Sequence, residues 1–162
     1  HNIAGEVGYF LPDRSCLGRK FPGFGALEQQ ASGTGIAYRA RAALADSMPP
    51  DQLEKITAYE VFDAVRRGDK WAQVVFDETV DYLAQLIGGI STIFDPDVIL
   101  LGGGVSRSAD LLIEPICSRL QGTILLVPKI RASELGYQAA VMGAIIRLLR
   151  MTSNYYILQK FV

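Results

Sequence analysis

Asp95-Pro96-Asp97-Val98-Ile99-Leu100-Leu101-Gly102-Gly103-Gly104-Val105 decides how the rest of this 162-residue chain is read. Pro96 disfavours helix at the residue before it, so a helix arriving from upstream stops here. Val98 to Leu101 carries an apolar residue at every position. That pattern predicts a strand covered on both faces. Three glycines then turn the chain, and Ser106 or Ser108 is placed to cap a helix reaching to about Leu120. Downstream, Ile124 to Val127 reads as a second short strand, with Lys129 to Ala132 extending the sheet edge after Pro128. Ser133 or Glu134 opens a last helix to about Arg150. Its inner face is expected to be Ala139, Met142, Ile145, Ile146 and Leu149.

Upstream of Pro96 the pattern is helical. Trp71, Val75, Tyr82, Leu86, Ile90 and Ile93 recur at helical spacing, which predicts one helix from Lys70 to Phe94, roughly 37 Å long. Asp69 is a candidate cap for it. Thr57 and Glu60 form a capping box ahead of Val61, Phe62 and Val65, and Gly68 is suited to end that helix in a left-handed turn. Ala26 to Leu44 reads as a further helix, weakened near its start by Gly33 and Gly35. Ser32-Gly33-Thr34 is taken as a helix-start motif before a phosphate cradle. Residues 1–25 are broken up by Gly5, Gly8, Gly18, Gly23, Gly25, Pro12 and Pro22 and are expected to be strand ends and loop. Helices alternating with short apolar strands predict an α/β fold with part of the sheet parallel.

Composition narrows the function. A net charge of −1 gives no electrostatic footing for direct contact with nucleic acid or an anionic membrane. No apolar run reaches the ~20 residues of a membrane span. Cys16 and Cys117 are far apart and form no metal or disulfide pattern, which points to a reducing, cytoplasmic setting. Two carboxylates stand out: Glu6, flanked by Gly5 and Gly8, and Glu28, at the start of a helix after Phe21-Pro22-Gly23-Phe24-Gly25. With the strand-glycine turn at Gly102, Gly103 and Gly104, they suggest a hydroxyl-rich ligand and a nucleotide.

Taken together, three segments resemble the C-terminal half of the ROK proteins (repressors, open reading frames and sugar kinases), on the actin-like ATPase, or ribonuclease H-like, fold. Ala4-Gly5-Glu6-Val7-Gly8-Tyr9 is similar to that family's A-G-E-x-G-H segment. Gly25-Ala26-Leu27-Glu28 with Ala31-Ser32-Gly33 is similar to its G-C-L-E and A-S-G run, and residues 95–105 to its D-P-x-x-I-x-x-G-G-G segment. Leu135-Gly136, Ala139-Ala140 and Gly143-Ala144 fit its closing helix. The resemblance covers residues 1–150 and leaves 151–162 as an extension. It implies that Glu6, Glu28 and Tyr9 bind a hexose or N-acetylhexosamine. It also implies that Gly102 to Gly104 lie against ATP, with magnesium carried mainly by the phosphates.

The departures from the family carry expectations of their own. Many members bind zinc through the His of A-G-E-x-G-H and three cysteines. Here those positions hold Tyr9, Arg19, Phe21 and Ala26, so no zinc is expected. The family's phosphate loop and catalytic Asp precede the first of these segments, so the chain is expected to be part of a longer polypeptide and inactive alone in phosphoryl transfer. A glucokinase-like sugar kinase is the first reading. The sugar-binding half of a ROK repressor, and a degenerate binding module, are the alternatives. The sugar, and ATP against polyphosphate as donor, stay open. The apolar tail from Asn154 to Val162 is expected to fold back on its own domain, or to dock on a second copy in a homo-oligomer or on the other half of the longer polypeptide.

Overall fold

The computed structural model describes residues 3–151 apart from residue 22, so the expectation for the 154–162 tail lies outside the described residues. In chain order the elements are α1 (Ala26–Ala31), α2 (Gly33–Leu44), α3 (Pro50–Leu53), α4 (Ala58–Arg67), α5 (Lys70–Phe94), β1 (Val98–Leu101), α6 (Ala109–Leu120), β2 (Lys129–Ala132) and α7 (Ala139–Met151). Short 3-10 turns at Val7–Tyr9, Arg14–Cys16, Val105–Ser108 and Gly136–Gln138 join them.

The predicted helix from Ala26 to Leu44 is two helices. Ser32 is extended (φ −77°, ψ 164°), and its Oγ accepts from the Gly35 amide at 3.1 Å. The new helix starts so close to the old one that a Cβ on Gly35 would lie 2.4 Å from the Gln29 carbonyl oxygen. Gly35 is therefore the contact that lets α2 turn back across the end of α1, rather than a weak point in one long helix.

The capping box at α4 is present. Thr57 Oγ1 accepts from the Tyr59 amide at 3.2 Å, and Glu60 Oε2 accepts from the Thr57 amide at 3.0 Å and from its hydroxyl. Gly68 ends α4 in the left-handed region, as its position predicts. The Thr57 hydroxyl holds the Glu60 carboxyl below its ordinary pKa, against the opposing effect of burial and with lesser help from the backbone amides of Thr57 and Glu60. A depressed carboxylate stabilises the fold at pH above its unfolded pKa, and that contribution is lost as pH falls through the lower folded value. Thr57→Ala is expected to cost about 1 kcal/mol at neutral pH. Thermal melts at pH 7 and pH 3 check this: the gap between the two proteins narrows at the acid end, where the hydroxyl keeps its bond from the Tyr59 amide but loses the charged carboxylate, and equal gaps would refute the assignment.

α5 has the predicted ends, although Asp69 occupies its N-cap without a side-chain cap bond. It runs through the middle of a helical core. Ile36 of α2, Val61 of α4, Val80 of α5 and Leu112 and Ile116 of α6 are all at most 1% exposed. Phe62 and Phe76 meet edge to face at 6.2 Å between α4 and α5.

β1 pairs in parallel with β2, Val98 opposite Lys129 through Leu101 opposite Ala132. The Ser133 amide donates to the Leu101 carbonyl at 2.8 Å and extends the ladder. Ile124 to Val127 is not a strand: Ile124 makes one isolated bridge to Gln121, and Leu125 and Leu126 are exposed. The second strand is the segment taken as an edge extension, with Ile130 buried against the core formed with α6. The sheet is also covered differently from the prediction. Ile99 and Leu101 pack on the core, while Val98 and Leu100 are 43% and 60% exposed. Likewise the expected inner face of α7, including Met142, Ile145, Ile146 and Leu149, is exposed, because no described element lies over it. Ser106 and Ser108 do not cap α6. Ser108 occupies the N-cap position without a side-chain bond, and Ser106 Oγ instead donates to the Gly103 carbonyl at 2.7 Å.

Candidate functional site

Two glycines lock the first two candidate segments together. The 3-10 turn at Val7–Tyr9 packs against α1. A Cβ on Gly8 would lie 2.7 Å from Glu28 Oε2 and 3.1 Å from the Phe24 carbonyl oxygen. Gly25, at φ +103°, faces it: a Cβ there would lie 2.6 Å from the Gly8 carbonyl oxygen and 2.8 Å from Tyr9 Cα. Only glycine permits both the left-handed backbone and the close approach. Glu6 immediately precedes this turn and is exposed; Tyr9 is also exposed, its ring edge against Gly25.

Glu28 sits in the first turn of α1 and is half-buried. Among the described residues its carboxylate has no hydrogen bond or ion pair within the protein, so its lone pairs are available to a ligand. It lines a cavity of about 550 Å³ between α1 and α2, together with Gln29, Gln30, Tyr38, Arg39 and Arg41. Glu6 and Tyr9 do not line this cavity. The interlocked glycines bring the Glu6–Tyr9 segment against the start of α1, but of the three candidates only Glu28 is in the cavity wall. Arg39 fixes the cavity's inner side. Its guanidinium pairs with Glu78 at 2.6 Å, donates to the Gln30 carbonyl at 2.8 Å and to Thr79 Oγ1, and lies over the Tyr82 ring at 5.8 Å. These bonds tie α1 and α2 to α5.

The glycine turn is the third candidate. Gly102, Gly103 and Gly104 leave β1 exposed, with Gly103 at φ +74°. A Cβ on any of the three would meet nothing within 4 Å. The turn borders open space, and the Ser106 hydroxyl holds its shape. Gly104 lines a second cavity of about 420 Å³ with Gly33, Thr34, Arg41, Thr57 and Tyr59. Thr34 and Arg41 line both cavities, so the two adjoin along α2, from its first turn to its last. Ser32-Gly33-Thr34 is thus a helix start, with Ser32 as its cap, that also forms part of this wall. A larger cavity of about 590 Å³, between α5 and α6, is lined by Gly88, Gly89, Leu120 and Ile124 among others and includes none of the candidate residues.

Nothing in the sequence singles out Arg39, Arg41 or Tyr59. The one signal available was a pair of arginines on the alanine-rich α2, which also reads as an ordinary solvated face.

At the four positions where the resemblance would place zinc ligands, Tyr9 and Arg19 are exposed, Phe21 is half-buried and Ala26 is buried. Among the described residues no group of three or more His, Cys, Asp or Glu side chains is placed to hold a metal ion. Protein purified without a metal-affinity tag is expected to contain well under one zinc per chain by elemental analysis. A full equivalent that survives dialysis against a chelator would overturn this. No described helix is long and apolar enough to cross a membrane.

The sequence model of the ROK family matches residues 1–150. The chain is 35% identical over 95 residues to a glucokinase of Thermotoga maritima, covering 56% of this chain and 30% of that protein. It is 31% identical over 159 residues to a glucokinase of Halalkalibacterium halodurans, covering 88% and 47%. Among solved structures it is similar to the ROK hexokinase of Thermus thermophilus, with a TM-score of 0.67 and 25% identity, covering 93% of this chain and 49% of that one. The chain therefore spans about half the length, or less, of the curated relatives it matches.

Proposed function

Because the chain belongs to the ROK family, with the α/β fold of its actin-like sugar kinases, we propose that it forms the sugar- and nucleotide-binding half of a kinase. That kinase would transfer a phosphoryl group from ATP to a hexose or N-acetylhexosamine. The observation that carries this reading is the pair of adjoining cavities, one lined by the Glu28 carboxylate, which has no partner among the described residues, and the other by Gly104 of the open glycine turn. Phosphoryl transfer needs donor and acceptor side by side, and here two ligand-sized spaces share a wall. An ionised carboxylate accepts from neighbouring sugar hydroxyls through charge-assisted bonds, the stronger kind. Glu28 takes that role first, with Glu6 and Tyr9 closing over the sugar from the adjacent turn.

The glycine turn fits a nucleotide. Its backbone is exposed and no side chain of its own fills the space beside it. Magnesium would arrive with the phosphates, which supply its hard oxygen ligands. The resemblance assigns the base that deprotonates the sugar hydroxyl to an aspartate outside residues 1–162, so binding rather than turnover is the readout for this chain. The cytoplasm, where ATP and reduced thiols coexist, is the proposed location.

Calorimetric titration of the chain with glucose, N-acetylglucosamine and ADP tests the reading. Gly103→Val is the informative variant, because a β-branched residue is strained at φ +74° and its side chain would enter the space assigned to the nucleotide. Nucleotide affinity is expected to fall at least about tenfold, with sugar affinity within about twofold. A variant that melts normally and binds ADP as before would remove the turn from the site. The repressor alternative rests on the same domain. It is separated by incubating the longer polypeptide with ATP and hexose: sugar phosphate marks a kinase, and its absence together with specific DNA retention marks a repressor.

A further inference from the structure

We infer that Phe10 is a positioning residue: its ring, seated on α5 at Gly89, anchors the Val7–Tyr9 turn and so holds Glu6 and Tyr9 beside Glu28. The consequence for sugar binding rests on the hexose reading of those three residues; the anchor itself does not.

Something must tie the loop before α1 to the helical body. Tyr9, Arg19, Phe21 and Ala26 offer neither thiolate nor imidazole, so a structural metal through those positions does not fit this chain. Hydrogen bonding does not take its place. Among the described residues, the hydrogen bonds of residues 3–21 run within the segment. The Tyr9 amide donates to the Glu6 carbonyl at 3.1 Å, the Phe10 amide to the Val7 carbonyl at 3.0 Å, and the Ser15 amide to the Asp13 carboxylate at 2.7 Å. These bonds shape the loop without attaching it to a helix. Attachment falls to close packing. The Gly8–Gly25 interlock grips the turn from α1, and Phe10 reaches α5.

Two features give Phe10 control of the turn. It follows Tyr9 directly, and its amide closes the turn on the Val7 carbonyl, so ring and turn belong to one hydrogen-bonded unit. The ring also lands where α5 is bare backbone. A Cβ on Gly89 would lie 3.9 Å from Phe10 Cε2 and 4.0 Å from Cζ, which is ordinary contact. Adjacent glycines weaken a helix interior, and here each admits a neighbour. Gly88 admits Leu120 of α6, whose Cδ2 would be 3.1 Å from an added Cβ, and Gly89 admits the Phe10 ring. Of Val7, Tyr9, Phe10 and Leu11, Phe10 is the most covered, at 38% exposed. A turn gripped from both α1 and α5 stays in one shape. Freed from α5, it spends part of its time in others, and the apparent affinity of any ligand it helps to hold falls by that fraction.

The test combines amide hydrogen exchange with calorimetry, using glucose, N-acetylglucosamine and ADP, on the chain and on Phe10→Ala, Phe10→Leu and Gly89→Leu, with a thermal melt of each. Phe10→Ala is expected to speed exchange at the Tyr9 and Phe10 amides at least about fivefold and to leave exchange in α5 and α6 unchanged. Its hexose affinity is expected to fall at least about fivefold, with ADP affinity within about twofold. Phe10→Leu keeps an apolar group over Gly89 and stays within about twofold of the parent in both measurements. Gly89→Leu fills the seat and reproduces the Phe10→Ala losses, although it favours the helix, and combining the two changes adds no further loss. A chelator leaves the parent unchanged. A folded Phe10→Ala with the parent's exchange rates overturns the anchor, and so does a chelator that speeds exchange in the parent. Faster exchange with unchanged hexose affinity overturns the positioning role. A parent chain that binds no hexose removes the sugar reading, while the exchange rates still decide the anchor.

Discussion

Gly35→Ala lowers the melting temperature by roughly 6–12 °C, corresponding to about 3 kcal/mol for a domain of this size. The added methyl would sit 2.4 Å from the Gln29 carbonyl oxygen, 2.6 Å from its carbon and 2.7 Å from the Glu28 carbonyl oxygen. All three are backbone atoms, so no side chain can swing aside. Relief requires α1 and α2 to separate, which also displaces Glu28. Gly33→Ala is the matched control two residues earlier. Its methyl would meet only Ala58 Cβ, at 3.9 Å, and alanine is the better helix former. Differential scanning calorimetry of the two variants is expected to show the Gly35 variant melting early and the Gly33 variant at or above the parent. Equal melting temperatures would show that the α1–α2 crossing is not constrained as described.

The second large effect is on ligand binding. Glu28→Gln is expected to weaken hexose binding at least about tenfold, and Glu6→Gln to weaken it less, with ADP affinity unchanged in both. The amide keeps the shape of the carboxylate but removes its charge and one acceptor. Hydrogen bonds to charged groups contribute about 1.5–3 kcal/mol each. The ranking follows from the cavity, which Glu28 lines and Glu6 does not. Calorimetry over a panel of hexoses measures both variants. If Glu6→Gln shows the larger loss, the sugar sits over the Val7–Tyr9 turn rather than in the α1–α2 cavity. If neither affinity moves, both carboxylates leave the site.

What was legible in the sequence follows from how local each signal is. α5 was readable to its last residue because a 25-residue apolar stripe ends at Asp95-Pro96. The capping box of α4 was readable because its parts are three residues apart. The break at Ser32 was not, because a helix turning back on itself at a glycine looks, in one dimension, like a helix weakened by one. The second strand was misplaced for a related reason. Ile124-Leu125-Leu126-Val127 has the stronger apolar pattern, yet Leu125 and Leu126 are exposed, while Lys129-Ile130-Arg131-Ala132 needs only Ile130 to face the core. Even α7, whose stripe was read correctly as apolar, is uncovered among the described residues. Periodicity reports which face is apolar, not what covers it. At the site, Glu28 and the glycine turn were visible as motifs. Arg41 and Tyr59 were not, because their significance arises only where α2, the start of α4 and the turn at Gly104 meet, across more than sixty residues of chain.

The sheet joins residues about thirty positions apart through the β1–α6–β2 crossover, whereas the neighbouring pair α4 and α5 needs only the turn at Gly68 and Asp69 to meet. Closing a longer loop costs more entropy before any contact repays it, and distant pairings slow folding. By this measure the helical hairpin around Phe62 and Phe76 is expected to form ahead of both the sheet and the packing of α2 on α5, whose Arg39 contacts with Glu78 and Thr79 span still more of the chain. The glycine turn hangs from the end of β1, so its final shape depends on the pairing of β1 with β2. The turn proposed to receive a nucleotide thus depends on a crossover closure, whereas the α4–α5 hairpin depends only on its own short loop.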